Sequence, residues 1–420
     1  MRIIHTADWH LGQEFHGFPR ETEHTAFLAW LEDRLVEHRV DALLVSGDIF
    51  DSQNPPVSAQ RQLYQFIGRI ATRLPWLRVV ITGGNHDSAG RLEAPGPLLD
   101  AFGVRVIGSL PRTAGGAIDP DRLLVPLDSA DGGPGLLCIA MPFLRPADLP
   151  PTGGNDGVDE ERDPLIEGVR SLYREAFLLA ARRLRPGQRL VAMGHCYMTG
   201  GEISEMSERR ILGGNQHALP ADIFPEDVAY VALGHLHKAQ SVGGRPHMRY
   251  SGSPLPLSVS ERDYRHQVML VEIGDGPVSL TPLIVPRTIP VLRIPDHGTA
   301  SPEEVLARAA SLDLPLPPSP DLMPYLEVAV VLSAPAPGLR RELDAALDGK
   351  PVRLARLTVS SDRRPGRDPA VPVPDLADLH PEDVFRRCWA DRYSEPPPGD
   401  VLDSFRGLLE EIDSDGEGRV

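Results

Sequence analysis

Three cysteines in 420 residues (Cys138, Cys196 and Cys388), with no CxxC pair, exclude a disulfide-stapled scaffold and a thiolate-rich zinc site. So few thiols fit a reducing compartment. No apolar run approaches the roughly 18 residues that a membrane-spanning helix needs. The N-terminal RIIHTADWHLG has polar residues where a signal peptide needs an apolar stretch. A soluble, cytoplasmic protein with no membrane partner is expected. Lysine is nearly missing: Lys238 and Lys350 are the only two among 43 basic side chains. Such an arginine skew reflects coding composition more than a binding surface. With 59 acidic residues the net charge is -16, so no basic field covers the whole surface. Any attraction for nucleic acid must be local: bound metal ions, an arginine patch or a partner subunit.

At about 150 residues per domain, the length implies two or three domains. The composition is 41% hydrophobic and 24% charged, which supports packed cores and excludes global disorder. In the first 110 residues, apolar β-type runs (RIIHTAD, DALLVSGD, LRVVITGGNHD, VRVI) alternate with helical periodicity at 20–38, 57–74 and about 95–102. This pattern predicts βαβ units and a mainly parallel sheet covered on both faces. Loops near 111–135 and 150–163, rich in Gly, Pro and acid, precede a helix at 164–184. The strands RLVAMGH and VAYVALGH come next, and the short runs from 247 to 285 read as an antiparallel edge or a second sheet. The first domain would span 1–285. A small α+β domain follows at 286–362, then a Pro-rich linker at 363–380. Two short amphipathic helices, 381–392 and 400–413, lie in a tail at 381–420.

Polar residues with metal-binding chemistry close each strand of the first half. They are Asp8-Trp9-His10, Gly47-Asp48, Gly84-Asn85-His86-Asp87, Gly194-His195 and Gly234-His235-Leu236-His237. Their intervals match βαβ units, so each cluster falls at the carboxyl end of a strand. In open α/β sheets those ends share one crevice. Asp8, His10, Asp48, Asn85, His195, His235 and His237 are too many ligands for one four-coordinate zinc, and none is a thiolate. Imidazole, carboxylate and amide together suit Mn, Fe or related ions. With Asp48 bridging, seven side chains supply four ligands to each of two metals, the arrangement used for in-line phosphoryl displacement. His86 is then surplus, free to protonate a leaving oxygen, with Asp87 to orient it.

Singly, Asp8, Asp48 and Asp87 read better as turn or cap residues. Five clusters in order, each ending an apolar strand, do not. Asp51, Ser52 and Asn54, ahead of Pro55 and Pro56, read as a cap and turn for the next helix. His5, His16, His24, His217 and His247 lack this context and keep a structural reading.

The series D-x-H, GD, GNHD, GH and GHxH resembles the calcineurin-like metallophosphoesterase superfamily. Within it, HTADWHLGQ, SGDIFD, SERRILGGNQ, YVALGHLHKAQ and RYSGSPLPLSVSE resemble the bacterial SbcD family. The match runs through most of residues 1–275. It implies a β-sandwich flanked by helices, with a small α+β capping domain that contacts DNA and a helical tail. It also implies one metal on Asp8, His10, Asp48 and His237, a second on Asp48, Asn85, His195 and His235, and His86 as catalytic acid. By the same resemblance the metals are two Mn2+ ions. The activity is exonucleolytic on double-stranded DNA ends and endonucleolytic on single strands and hairpins. The partner is an SMC-like ATPase, SbcC, in a heterotetramer with a homodimer of this chain.

Two further expectations concern contacts between chains. The helices at 57–74 and about 92–102 pair two copies, as the resemblance favours, against the alternative that the stripe Leu63, Phe66, Ile67 and Ile70 of the first only packs on the sheet. The tail, with Val384, Phe385, Cys388 and Trp389 on one helix and Leu402, Phe405, Leu408, Leu409 and Ile412 on the other, docks on the ATPase. The rival readings are a phosphatase on small phosphoesters and a catalytically dead adaptor. Complete ligation opposes the second, and the added cap, linker and tail oppose the first.

Overall fold

Near-continuous apolar runs such as ALLVS and LLCIA can be buried on both faces, as parallel strands require. The computed structural model describes residues 1–129, 132–150, 163–202, 218–333 and 336–361, with residues 385, 386, 389, 397, 398, 401, 402 and 405 beyond them. It holds two six-stranded sheets. The first runs Ser279–Ile284, Gln267–Glu272, Arg2–Thr6, Ala42–Ser46, Arg78–Thr82, Val104–Ile107. Its last four strands are parallel, and the first two are antiparallel additions. The second runs Gln240–Val242, Arg245–Tyr250, Tyr230–Gly234, Arg189–His195, Leu136–Ala140, Leu124–Leu127. Its inner four strands are parallel and its edges antiparallel.

The sheets pack face to face. Ile3, Ala42, Leu44 and Val80 of the first meet Cys138, Val191, Met193 and Ala232 of the second in one buried cluster. Helices Glu21–Glu37 and Val57–Arg73 cover the outer face of the first sheet, and Pro164–Arg183 covers the second. The expectation from periodicity, one sheet with helices on both faces, is therefore corrected. One face is covered by helices and the other by the second sheet, as in the sandwich that the resemblance implies. The antiparallel runs after residue 266 belong to the first sheet. Strands Leu124–Leu127 and Leu136–Ala140 flank and enter what reads in sequence as loop.

The stripe on Val57–Arg73 faces this core: Leu63, Phe66, Ile67 and Ile70 are all buried against the sheet. It cannot also be the surface that pairs two copies. Asp51 does not cap that helix, whose N-cap is Pro56 with no side-chain cap bond.

Residues 286–361 form the expected small α+β part. Its sheet has the order Val291–Ile294, Tyr325–Leu332, Arg353–Ser361, and helices Pro302–Ala310 and Leu339–Leu347 pack over it. It does not stand apart: Met1–Ser360 is one compact unit and Ser361–Val420 another. A buried cluster of Phe15, Val259, Ile289, Val291 and Tyr325 joins the two parts of the first unit. In the second unit the rings of Phe385 and Phe405 stack at 4.2 Å. The linker, most of both tail helices and the SERRILGGNQ segment lie outside the described residues. Among those residues, no helix is long and apolar enough to cross a membrane.

Candidate metal centre

Both sheets present the carboxyl ends of their parallel strands at one edge of the sandwich. From the first sheet, Asp8 follows Arg2–Thr6, Asp48 follows Ala42–Ser46, and Asn85, His86 and Asp87 follow Arg78–Thr82. From the second, His195 ends its strand, and His235 and His237 follow Tyr230–Gly234. Close backbone approach makes the convergence possible. A Cβ on Gly84 would stand 2.0 Å from Asp48 Oδ1, and one on Gly47 would stand 2.1 Å from His195 Nδ1. Glycine is required at both.

The seven expected ligands come together. Ligand atoms of Asp8, His10 and His237 lie within 4.8 Å of one another, as do those of Asp8, Asp48 and His195. Asp8 belongs to both groups, and Asp48 reaches towards the first, with Oδ2 3.3 Å from His195 Nε2 and 3.7 Å from His10 Nε2. Its Oδ1 accepts the backbone N–H of His86 at 2.9 Å. The side-chain oxygen of Asn85 faces His195 Nε2 at 2.9 Å and His235 Nδ1 at 3.1 Å. Asp8 Oδ1 accepts the N–H of His235 at 2.9 Å, while Asp8 Oδ2 and His10 Nε2 are buried with no hydrogen-bond partner.

Burial and proximity set the charges. Burial raises Asp8 to about 7 against the pull of His195 and His237. Burial works against the Asp48 carboxylate too, but His195 and His10 hold it well below the usual range. Burial disfavours the His195 cation, yet Asp48 outweighs it and lifts His195 to about 9. His235 is driven down to about 3 by burial and by His195. Two carboxylates with opposite shifts, among four imidazoles, form a site whose buried oxygens and nitrogens can receive a cation. The residues present fit divalent metals of the Mn, Fe or Zn kind by donor chemistry.

The outer partners of these histidines are carboxylates and a carbonyl, the kind that usually orient histidines at metal sites. Asp51 Oδ1 bonds His10 Nδ1 at 3.1 Å, Glu261 Oε1 bonds His237 Nδ1 at 3.0 Å, and the carbonyl of Ser46 accepts from His195 Nδ1 at 2.9 Å. Sequence reasoning places neither Asp51 nor Glu261 at the site. Asp51 hides in a turn-like DSQNPP, and Glu261 follows SGSPLPLSVS with no metal-binding neighbour. Only its place in the quoted family motif marks it.

His86 lies beside the ligands, its ring centroid 4.8 Å from that of His10. Its Nδ1 donates to the carbonyl of Asp51 at 2.9 Å. That corrects the part given to Asp87 in orienting it. The Asp87 carboxylate instead accepts three backbone N–H groups, from Ile49, Phe50 and Gly84, at 3.1, 3.0 and 2.9 Å. Burial and Asp48 raise Asp87 to about 6 against those three bonds. It ties two ligand-bearing loops together. His5, set aside in sequence, is a core residue bonded to the Tyr230 hydroxyl at 2.8 Å.

A two-sheet sandwich with this donor set at its strand ends has the architecture and chemistry of a metallophosphoesterase. Residues 1–239 match the calcineurin-like phosphoesterase family, and residues 287–393 match a family described as the Type 5 capsule protein repressor C-terminal domain. The chain is 44% identical over 391 residues to the SbcD component of the SbcCD nuclease of Rhodobacter capsulatus, covering 93% of this chain and 94% of that protein. The Escherichia coli counterpart is 32% identical over 397 residues, 93% of each chain. That of Bacillus subtilis is 35% identical over 281 residues, 66% of this chain and 67% of the relative. The chain belongs to the calcineurin-like phosphoesterases and, within them, to the SbcD family.

Proposed function

We propose that the chain is a two-metal DNA phosphodiesterase. It acts as exonuclease on double-stranded ends and endonuclease on single strands and hairpins, as the nuclease subunit of a complex with an SbcC-type ATPase. The observation that carries this is the convergence of seven donors from two sheets on one edge, with Asp8 Oδ2 and His10 Nε2 buried there without a hydrogen bond. Asp8, His10, Asp48 and His237 would hold one ion, and Asp48, Asn85, His195 and His235 the other, Mn2+ being our assignment. Such ions supply Lewis-acid neutralisation of charge on the phosphoryl group in an in-line displacement.

The protein's own side chains supply the rest. Asp48, held on Oδ1 by the N–H of His86, keeps both groups in register. His86 carries its proton on Nδ1 against the Asp51 carbonyl, so its other nitrogen, when protonated, can pass a proton to the departing oxygen. Asp51 and Ser46 fix the rings of His10 and His195. The net charge of -16 leaves the DNA to be attracted by the bound ions and by the partner.

A Mn2+ titration with a blunt duplex, a hairpin and a chromogenic phosphomonoester tests the reading. Metal-dependent cleavage of both DNAs is expected. Turnover of the phosphomonoester alone would place the chain among small-molecule phosphatases.

A further inference from the structure

We infer that Glu261 is a positioning residue for the metal ligand His237, which ties the metal centre to the junction with the α+β part. The inference rests on the reading of the cluster as a metal centre. Glu261 is fully buried, at the end of the short turn Val259–Glu261. One carboxylate oxygen meets His237 Nδ1 at 3.0 Å, and the other accepts the backbone N–H of Leu257 at 2.8 Å. A carboxylate at Nδ1 places the proton on that nitrogen and presents Nε2 as the ligand. The His237 ring lies 5.4 Å from that of His10, and its ligand atom clusters with those of Asp8 and His10.

The segment that carries Glu261 is itself held from the far side. Gln13 Nε2 donates to the carbonyl of Leu257 at 2.9 Å, and Arg20 Nη1 donates to that of Pro256 at 2.7 Å. Arg20, buried, is gripped by Glu23 at 2.8 Å through both Nε and Nη2, and the Tyr325 hydroxyl donates to Glu23 at 3.0 Å. Val259 packs with Phe15, Ile289, Val291 and Tyr325. A continuous set of buried contacts therefore runs from Tyr325, on the central strand of the α+β sheet, through Glu23, Arg20 and Pro256 to the turn whose last residue orients His237.

The test uses the full chain, with Mn2+ binding measured by calorimetry and melting followed in EDTA and in Mn2+. Glu261→Ala removes both hydrogen bonds, and Glu261→Gln keeps the shape while replacing one acceptor by a donor. Both should weaken Mn2+ binding at one of two sites, by about 10- to 100-fold for Ala and less for Gln. The rise in Tm that Mn2+ confers should shrink, and cleavage by Glu261→Gln should return at high Mn2+. Glu32→Gln, which removes a carboxylate paired with Arg69 and Arg73 on the outer helices, should leave the isotherm unchanged. If Glu261→Ala does not fold, Glu261→Gln carries the test. A folded Glu261→Gln with the wild-type Mn2+ isotherm overturns the proposal, whatever its Tm in EDTA. Wild-type protein that binds no divalent ion overturns the metal-centre reading itself.

Discussion

Asp8→Asn should raise stability in one condition and lower it in another. Its carboxylate is fully buried; Oδ1 accepts the N–H of His235 and Oδ2 has no hydrogen bond. The amide can keep the first contact while removing the charge. Burial lifts the Asp8 pKa from 3.8 to about 7, and each unit is worth about 1.4 kcal/mol. Ionising Asp8 in the metal-free fold therefore costs at most about 4 kcal/mol, the pull of the neighbouring imidazoles being already included in that shift. We expect a net gain of about 1–3 kcal/mol for the variant in EDTA at pH 8. The sign follows from linkage. A raised carboxyl pKa leaves stability intact below the unfolded value of 3.8 and removes it as pH rises through about 7. The advantage of the variant should thus narrow as pH falls from about 7 towards 4. With Mn2+ at a thousand times its Kd the wild type gains about 4.1 kcal/mol, more than the variant's advantage in EDTA, and the variant, short of a donor, gains less, so the order inverts. Calorimetric melting at pH 5 and pH 8, in EDTA and in Mn2+, reads all four corners. An Asp8→Asn protein less stable than wild type in EDTA at pH 8 would refute the argument that the charge is a liability answered by the cation.

Asp48→Asn should lose bound metal at both sites together with cleavage, read by metal analysis beside initial rates, because its Oδ2 faces both His10 and His195. His86→Gln should keep both metals and slow duplex cleavage by about 10²–10⁴; loss of one metal would move His86 into the ligand set. Phe66→Ala should cost about 3–5 kcal/mol in denaturant unfolding with no change in sedimentation, because the ring is buried against the first sheet. Deleting 381–420 should leave Mn2+-dependent cleavage by the isolated chain nearly intact and abolish co-purification with an SbcC-type partner; undiminished binding would assign the tail to the chain's own fold.

What was legible in the sequence was the chemistry at strand ends, because there periodicity and residue type point the same way. DALLVSGD and VAYVALGH each show an apolar run closed by glycine and a ligand, and strand and site follow together. The second sheet was harder. Its edge strand Leu124–Leu127 and the neighbouring Leu136–Ala140 are short runs among Gly, Pro and acid, and nothing local says that a run of five will be covered by another sheet instead of a helix. Asp51 and Glu261 were illegible for a related reason. They act on a histidine 41 and 24 residues away, through contacts that only tertiary packing creates. The stripe of Leu63, Phe66, Ile67 and Ile70 had the right period for either a core or an interface; burial decides for the core.

The glycine-rich signatures have a second cause beyond close approach. Asp8, His10, Asp48 and His235 adopt positive φ, at 55, 46, 49 and 102°, where a side chain costs about 1–3 kcal/mol. Aspartate and histidine are among the non-glycine residues that enter this region most readily. The residue types that ligate a hard or borderline cation are thus also those that tolerate the backbone turning them inward. Hydrogen bonds hold the strained residues in place: Asp8 N–H to the Gly47 carbonyl at 3.1 Å, His10 N–H to that of Asp48 at 3.0 Å, and Leu11 N–H to that of Ile49 at 2.9 Å. Each bond crosses between the two loops that carry Asp8 and Asp48, so strain in one is balanced by the other. Asparagine shares the tolerance of aspartate for this backbone, and Asp48→Asn therefore isolates the lost charge. A β-branched Asp48→Val would fail through the backbone before the metal was reached. If Asp48→Asn melted in EDTA as far below wild type as Asp48→Val, the carboxylate would be holding the loop and not the ion.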